Sequence, residues 1–459
     1  MTGVPDSWYN VLPDLGFELP KDLPSPRRHR TGLSLQVPPA LIRQEISGQR
    51  LLPIPDEVLR RYRQWRPTPL RRARQFERTL GTRCRIYYKY EGGNLSGSHK
   101  LNTAVAQAHY YHRAGATRLT VGTGAGQWGT AVAAACAMYG LGCRVYMVRS
   151  SSIAKPYRRT IMEMLGATVI ASPSDATDVG RSARREDPES PGGLALAMAE
   201  ALEDTAEPGT QFCTGSGETY ALLHQTVAGL EAQEQLAEIG DPPDVIIASL
   251  GGGSNFGGLT LPFLGAMLGG GRPVRCVSVE PSACPKLTRG RYAYDFTDAS
   301  GLGPLQKMYT LGHRFAPPPI HAGGLRYHAT AKLISALRHR GMIEAVAYPQ
   351  RAVFESAIAF ARAEDLVPAP ESAHAVHGAV VEARQADTMG QRRSILAGVS
   401  GHGLFDMAAY QSFLDGTMTD WTPTDEQIAD ALALLPAPHQ TPPSRPGVQQ
   451  PSPLEGGSA

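Results

Sequence analysis

This chain of 459 residues is short of most features that announce a membrane, secreted or nucleic-acid-binding protein. No stretch approaches the roughly 18 consecutive apolar residues of a transmembrane helix, so no membrane span is expected. The N-terminus, MTGVPDSWYNVLPDLG, has no basic region followed by an apolar one, and no signal peptide is expected there. An excess of one charge is missing too: 45 Lys and Arg against 42 Asp and Glu leave +3, too little to imply a nucleic-acid partner. The basic clusters Arg27-Arg28-His29-Arg30 and Arg71-Arg72-Ala73-Arg74 read as solvated faces. Six cysteines (Cys84, Cys136, Cys143, Cys213, Cys276, Cys284) lie scattered, with no CxxC pair and no Cys/His ligand spacing. That pattern argues against a disulfide framework or a metal site, and predicts buried thiols in a reducing cytoplasm.

What is present is ordinary for a soluble globular protein, 42% hydrophobic and 19% charged, and long enough for a large enzyme core or several domains. The first 65 or so residues are rich in Pro and Arg and read as an extension wrapping the body, with one helix near Pro55–Arg66. Short apolar, β-branched runs follow at 83–91, 117–123, 143–148, 167–172, 244–251, 274–281 and 394–401, predicted as buried parallel strands. The segments 99–115, 127–142 and 158–166 between them are predicted helices, and the alternation indicates an α/β fold. Arg181–Gly193 is predicted as a polar surface loop, and the Pro/Ser/Gly/Gln segment 436–459 as a disordered tail.

Two glycine-rich loops follow predicted strands: Gly122-Thr123-Gly124-Ala125-Gly126-Gln127-Trp128-Gly129 and Gly251-Gly252-Gly253-Ser254-Asn255. Neither has the dinucleotide GxGxxG spacing nor that of a GxxxxGK[ST] phosphate loop. Each, alone, suits a tight strand-to-helix turn as well as it suits an anion cup. A third element, Glu91-Gly92-Gly93-Asn94-Leu95-Ser96-Gly97-Ser98-His99-Lys100-Leu101-Asn102-Thr103, follows a strand and opens a helix. Burial of Lys100 at that helix start would lower its pKa and make it a competent Schiff-base amine. A fourth, Val399-Ser400-Gly401-His402-Gly403, puts a serine at the carboxyl end of a strand, where α/β sheets bind ligands.

Taken together these segments resemble fold-type II pyridoxal-phosphate enzymes, and most closely the tryptophan synthase β chain family in its longer subtype. The resemblance is carried by RPTPL (66–70), EGGNLSGSHKLNTA (91–104), TGAGQWGTA (123–131), GGGSN (251–255), VEP (279–281), PPPIHAGGLRYH (317–328), PESAH (370–374) and SGHG (400–403). It implies two three-layer α/β domains with the active site between them. One would span 99–230, including a mobile communication region at about 123–225, and the other 66–98 with 231–435. It implies that Lys100 carries pyridoxal 5'-phosphate and moves the proton at the substrate Cα. His99, Asn102, Gly251, Gly252, Gly253, Ser254 and Asn255 would bind the cofactor, and Ser400 would face its pyridine nitrogen. Glu371 would lie near the ring, and Thr123, Gly124, Ala125, Gly126 and Gln127 would hold the substrate carboxylate. The activity implied is β-replacement, in which L-serine loses its hydroxyl and indole attacks Cβ, in a homodimer acting on small molecules. Dependence on an α-type partner is less expected of the longer subtype.

One position departs from the pattern. The family carries a glutamate immediately before TGAGQ, where this chain has Gly122. That glutamate protonates the leaving hydroxyl, and a misplaced general acid costs about 10²–10⁴-fold. Glu218 stands in the stretch Cys213–Gln225, where an apolar residue is expected against the indole pocket. The pair of changes suggests that the acid has moved to Glu218, against the plainer reading of Glu218 as a solvated loop residue. On that view, a glutamate restored at position 122 is expected to return the acid. The alternatives are a β-eliminating or C–C-forming enzyme of specialised metabolism and a cofactor-binding regulatory pseudo-enzyme. Intact Lys100, Ser400 and glycine cup argue against the last.

Overall fold

The computed structural model describes residues 3–25, 37–318 and 320–436. Its central strands are β1 (Leu70–Arg72), β2 (Arg85–Tyr90), β3 (Arg118–Thr123), β4 (Gly142–Val148), β5 (Ala167–Ser172), β6 (Thr210–Phe212), β7 (Val245–Ser249), β8 (Arg275–Pro281), β9 (Glu344–Tyr348) and β10 (Ser394–Val399). The helices that matter for the site are α1 (Pro39–Glu45), α2 (Leu101–Arg113), α3 (Gln127–Tyr139), α4 (Pro156–Met164), α5 (Leu194–Glu203), α6 (Thr219–Gln225), α7 (Ser254–Leu268), α8 (Lys332–His339) and α9 (Pro370–Thr388). Every run predicted as a strand is one, and the three predicted helices are α2 and α3 with trimmed ends and α4, shifted two residues earlier.

The strands form two sheets. The larger runs β9-β8-β7-β10-β2-β1, parallel except for the edge pair β1–β2. Alternate residues serve opposite faces, the period of two intrinsic to a strand. Val245 and Ile247 pack with Val279, Ile395 and Val399 under Phe360, Val376 and Val380. Ile246 and Ala248 pack with Leu396 under Phe256, Leu259 and Leu264. Burial of both faces explains why these strands read as unbroken apolar runs.

The smaller sheet, β5-β4-β3-β6, is parallel throughout. Leu119, Val121, Val145 and Met147 face the alanine-rich helices α2 and α3. On the far side Tyr146 and Val148 meet Ala197 and Ala201 of α5. Each sheet is thus the middle of three layers, an α/β fold of the expected class.

The polar segment at Arg181–Gly193 is irregular only from residue 187 on, and its first part corrects the sequence expectation. Residues Asp178–Glu186 are a helix, capped where Thr177 Oγ1 accepts from the Gly180 N–H at 3.0 Å. Its inner face is made of small residues, Gly180 buried and Val179 and Ala183 half-buried, set among charged ones, a composition that reads as turn. The N-terminal segment also holds more than one helix: α1 and an antiparallel pairing of Ser7–Tyr9 with Leu51–Pro53 join Asp56–Tyr62. All six cysteines are buried free thiols. No helix among the described residues is long and apolar enough to cross a membrane. The Arg27–Arg30 cluster and residues 437–459 lie outside the described residues.

Candidate active site

Lys100 reaches the site because the chain before it is laid along the end of β10. Glu91 N–H donates to Val399 O at 2.9 Å, His99 N–H to Ser400 O at 2.8 Å, and His402 N–H to Gly97 O at 3.1 Å. Asn94 stiffens the intervening turn, its amide donating to the carbonyls of Glu91 (3.1 Å) and Ser98 (3.0 Å). Lys100 therefore emerges at the start of α2 beside Ser400, and lines the same recess as Ser98, His99, Gly251–Asn255, Glu371 and Ser400. Burial holds its amine down at about 8, with the Glu371 carboxylate working in the opposite direction.

Opposite Lys100, the glycines of 251–253 end in the first turn of α7, whose leading N–H groups have no partner within the helix. A side chain at 251 or 252 would strike the Gly324 carbonyl oxygen or the Ser216 hydroxyl, so the loop must stay bare. His99 Nε2 lies 3.1 Å from Ser254 Oγ. Burial, helped by neighbouring Lys100, pushes that imidazole down to about 3, so it is neutral, and its Nδ1 has no protein partner. Glu371 Oε1 accepts from Gly324 N–H at 2.8 Å, while its Oε2 is buried without a partner. Ser400 Oγ lies 2.9 Å from the fully buried Ser372 Oγ, which accepts from Gly401 N–H at 3.0 Å.

The recess opens into a cavity of about 580 Å³. Thr123, Gly124, Ala125 and Gln127 line it together with Lys100. Gly126 stands behind this loop at φ +98°, with Arg158 Cβ 3.0 Å from where its own Cβ would go. Asn102 is placed differently from the other predicted cofactor residues. Its amide donates to Glu91 (3.0 Å) and Gln225 (3.1 Å) and accepts from Arg66 (2.9 Å), so it braces α2 within a buried ionic network.

Gly122 faces the cavity as well, and the reason for its bareness is α5. A Cβ at 122 would lie 2.5 Å from Met198 N and 2.7 Å from Ala197 C, both backbone atoms. The space next to Gly122 is filled by a helix that presents Leu194, Met198 and Leu202 to the cavity. This overturns the expectation that a glutamate restored at 122 would resume its role: it has nowhere to go unless α5 moves. Glu218 lines the same cavity. Removal from bulk water, then the nearby Glu45 carboxylate, raises its carboxyl to about 8. It is no ordinary solvated loop residue.

Sequence reasoning missed Ser372, although it lies inside the quoted PESAH motif. It also missed the α5 wall, whose four-residue spacing of Leu194, Met198 and Leu202 was a readable helical signal.

A lysine of lowered basicity, an anion cup at a helix start and a hydroxyl facing both define an enzyme that carries a phosphorylated cofactor on a lysine. Residues 62–401 match the model of the pyridoxal-phosphate dependent enzymes, and the chain belongs to that family. It is 51% identical to the tryptophan synthase beta chain 2 of Aeropyrum pernix, over 92% of this chain and 96% of that one. It is 50% identical to the tryptophan synthase beta chain 2 of Aquifex aeolicus, over 91% and 98%. Among solved structures, a fungal L-serine ammonia-lyase from Rhizomucor miehei superposes with a TM-score of 0.57 at 15% identity, covering 76% of this chain and 98% of that chain. A threonine deaminase from T.th. does so with a TM-score of 0.52 at 20% identity, with the same coverage. These two likenesses bear on the fold, which is fold type II.

The residues present fit pyridoxal phosphate. The bare glycine loop leaves room for a phosphate against helix N–H groups, and the orphaned His99 Nδ1 and Ser98 Oγ supply further polar atoms at the recess. A neutral histidine suits a site that must hold a dianion without burying a competing charge.

Proposed function

We propose that the chain catalyses β-replacement on L-serine or an activated serine with indole or an indole-like nucleophile, using Glu218 as the acid. The observation that carries this reading is the pairing of walls around one cavity. The side next to residue 122 is apolar helix, and the side holding Glu218 bears a carboxyl that stays protonated at neutral pH. The names of the relatives above support the substrate class. Bound pyridoxal phosphate supplies an electron-withdrawing ring that makes the substrate Cα–H acidic.

The chain's own groups do the rest. Lys100 holds the cofactor and takes and returns the proton at Cα. The Thr123–Gln127 loop, with the Thr123 hydroxyl and backbone N–H groups, orients the substrate carboxylate. Ser400 offers a hydroxyl, not a carboxylate, to the pyridine nitrogen, which keeps the ring a modest electron sink and favours loss at Cβ over transamination. Glu218 gives its proton to the departing hydroxyl oxygen, and its carboxylate then receives the proton released by the nucleophile. Leu194, Met198 and Leu202 pack against the nucleophile's apolar body and exclude water.

Glu218→Leu should lower the rate with L-serine by up to ~10²-fold, and much less with O-acetylserine, whose leaving group needs little protonation. An unchanged rate with both substrates would sink the assignment. The resemblance to the longer subtype supports a cytoplasmic homodimer that depends less on an α-type partner. Light scattering and activity of the purified chain alone test these points.

A further inference from the structure

Behind Glu218 four segments converge. Asp22 is held beside Gln306 because Leu23 and Leu305 exchange backbone hydrogen bonds at 2.9 Å. Glu45 ends α1, and its Oε2 accepts from the N–H of Tyr220, two residues beyond Glu218, at 3.0 Å. Lys332 opens α8, with its Nζ 3.0 Å from Glu45 Oε1 and 3.1 Å from Asp22 Oδ2. Gln306 Nε2 donates to Asp22 Oδ2 at 3.2 Å and reaches Glu218 Oε2 at 3.4 Å. Tyr111, Tyr220 and Tyr327 also face the group, and burial keeps all three phenols protonated.

The charges do not balance here. Among the described residues, one ammonium stands among three carboxyl groups, in a region largely removed from water. Lys332 is within ion-pair distance of Glu45 and Asp22, and among the described residues Glu218 meets only an amide shared with Asp22. A third negative charge would be repelled by two neighbours and unanswered by a cation of its own, so the proton belongs on Glu218.

We propose that Asp22 and Glu45, both from the N-terminal segment, are positioning residues that engage Lys332 and thereby keep Glu218 protonated at neutral pH. The inference deepens the reading of Glu218 as the acid and rests on it for its functional meaning. It also gives the N-terminal segment a chemical duty: the segment sets the proton inventory of a cavity built mainly from other elements.

The proposal makes the neighbours act in opposite directions. Glu45→Gln or Asp22→Asn frees Lys332 for Glu218, which should then ionise more easily. Lys332→Met leaves the carboxyl groups without a cation, and Glu218 should hold its proton more firmly. A merely structural role would weaken all three variants without separating them.

The experiment is infrared difference spectroscopy on the cofactor-loaded enzyme, following the carboxyl C=O band that disappears in Glu218→Gln as pH is raised. The parent protein should lose that band with a midpoint of about 8. In Glu45→Gln and Asp22→Asn the midpoint should fall by about one unit or more, and in Lys332→Met it should rise. Unmoved midpoints, or movement in one direction for all variants, would overturn the proposal. Should Lys332→Met fail to fold, the two N-terminal variants still decide it, since each must shift the midpoint downward. The pH profile of the rate with L-serine is recorded in parallel. Infrared midpoints that separate as stated while the rate ignores them would uphold the cluster and refute Glu218 as the acid.

Discussion

The two sides of the cavity are built by different means. The Lys100 side comes from three short stretches: 91–102 and 400–403 are zipped together by backbone hydrogen bonds such as His99 N–H to Ser400 O, and 251–255 meets them through His99 Nε2 and Ser254 Oγ at 3.1 Å. The nucleophile side is assembled from side chains of α5, α6, α8 and the N-terminal segment, none adjacent in sequence. Backbone-built geometry tolerates little change in loop composition, while a wall of side chains can exchange an acid for a helix face and place another acid opposite.

The largest effect that would sharpen this contrast is at the lysine. Lys100→Ala should keep the fold, lose the yellow colour that borohydride makes permanent, and drop β-replacement to background. Absorbance and mass spectrometry after reduction check it. A protein that never takes up added pyridoxal phosphate would break the assignment at its root.

Next comes residue 122. Gly122→Glu should destabilise the protein by about 1–3 kcal/mol through overpacking against α5, with no gain in activity on L-serine. Denaturant melts and initial rates measure both. A stable variant with improved serine turnover would show that α5 yields easily, and that the two walls are interchangeable.

The pH response is a smaller effect. Glu218 is raised from 4.5 to about 8, so the acid form is populated below the upper value and lost above it. The rate with L-serine should fall as pH rises through about 8, and the fall should be absent with O-acetylserine. The linked stability has the same sign: it is fully present below the unfolded value and lost as pH rises through the folded one. Glu218→Gln should flatten both curves. The smallest effect is expected for Ser372→Ala, which removes the group 2.9 Å from Ser400 Oγ and the acceptor of Gly401 N–H. It should cost a few-fold in rate, shift the visible absorbance of the bound cofactor and leave stability within about 1–2 kcal/mol.

The strands were legible because parallel sheets buried on both faces demand apolar, β-branched runs, and Val245–Ser249 is such a run. The cofactor residues were legible because backbone contacts to a phosphate need glycines at set places. The helix at Asp178–Glu186 was not, since its inner face is only Val179, Gly180 and Ala183 among charged residues and its cap, Thr177, is a single common residue.

By itself the sequence determined the fold class and the cofactor, and pointed to the lysine proposed to hold it, because each depends on residues contiguous in the chain or on a period of two. Only the tertiary structure decided what fills the space beside Gly122 and what surrounds Glu218. The first answer is the backbone of Ala197 and Met198, and the second is Lys332, Glu45, Asp22 and Gln306. A proton's position depends on charges a few ångströms away in space, and those charges come from segments hundreds of residues apart in sequence, which no local pattern records.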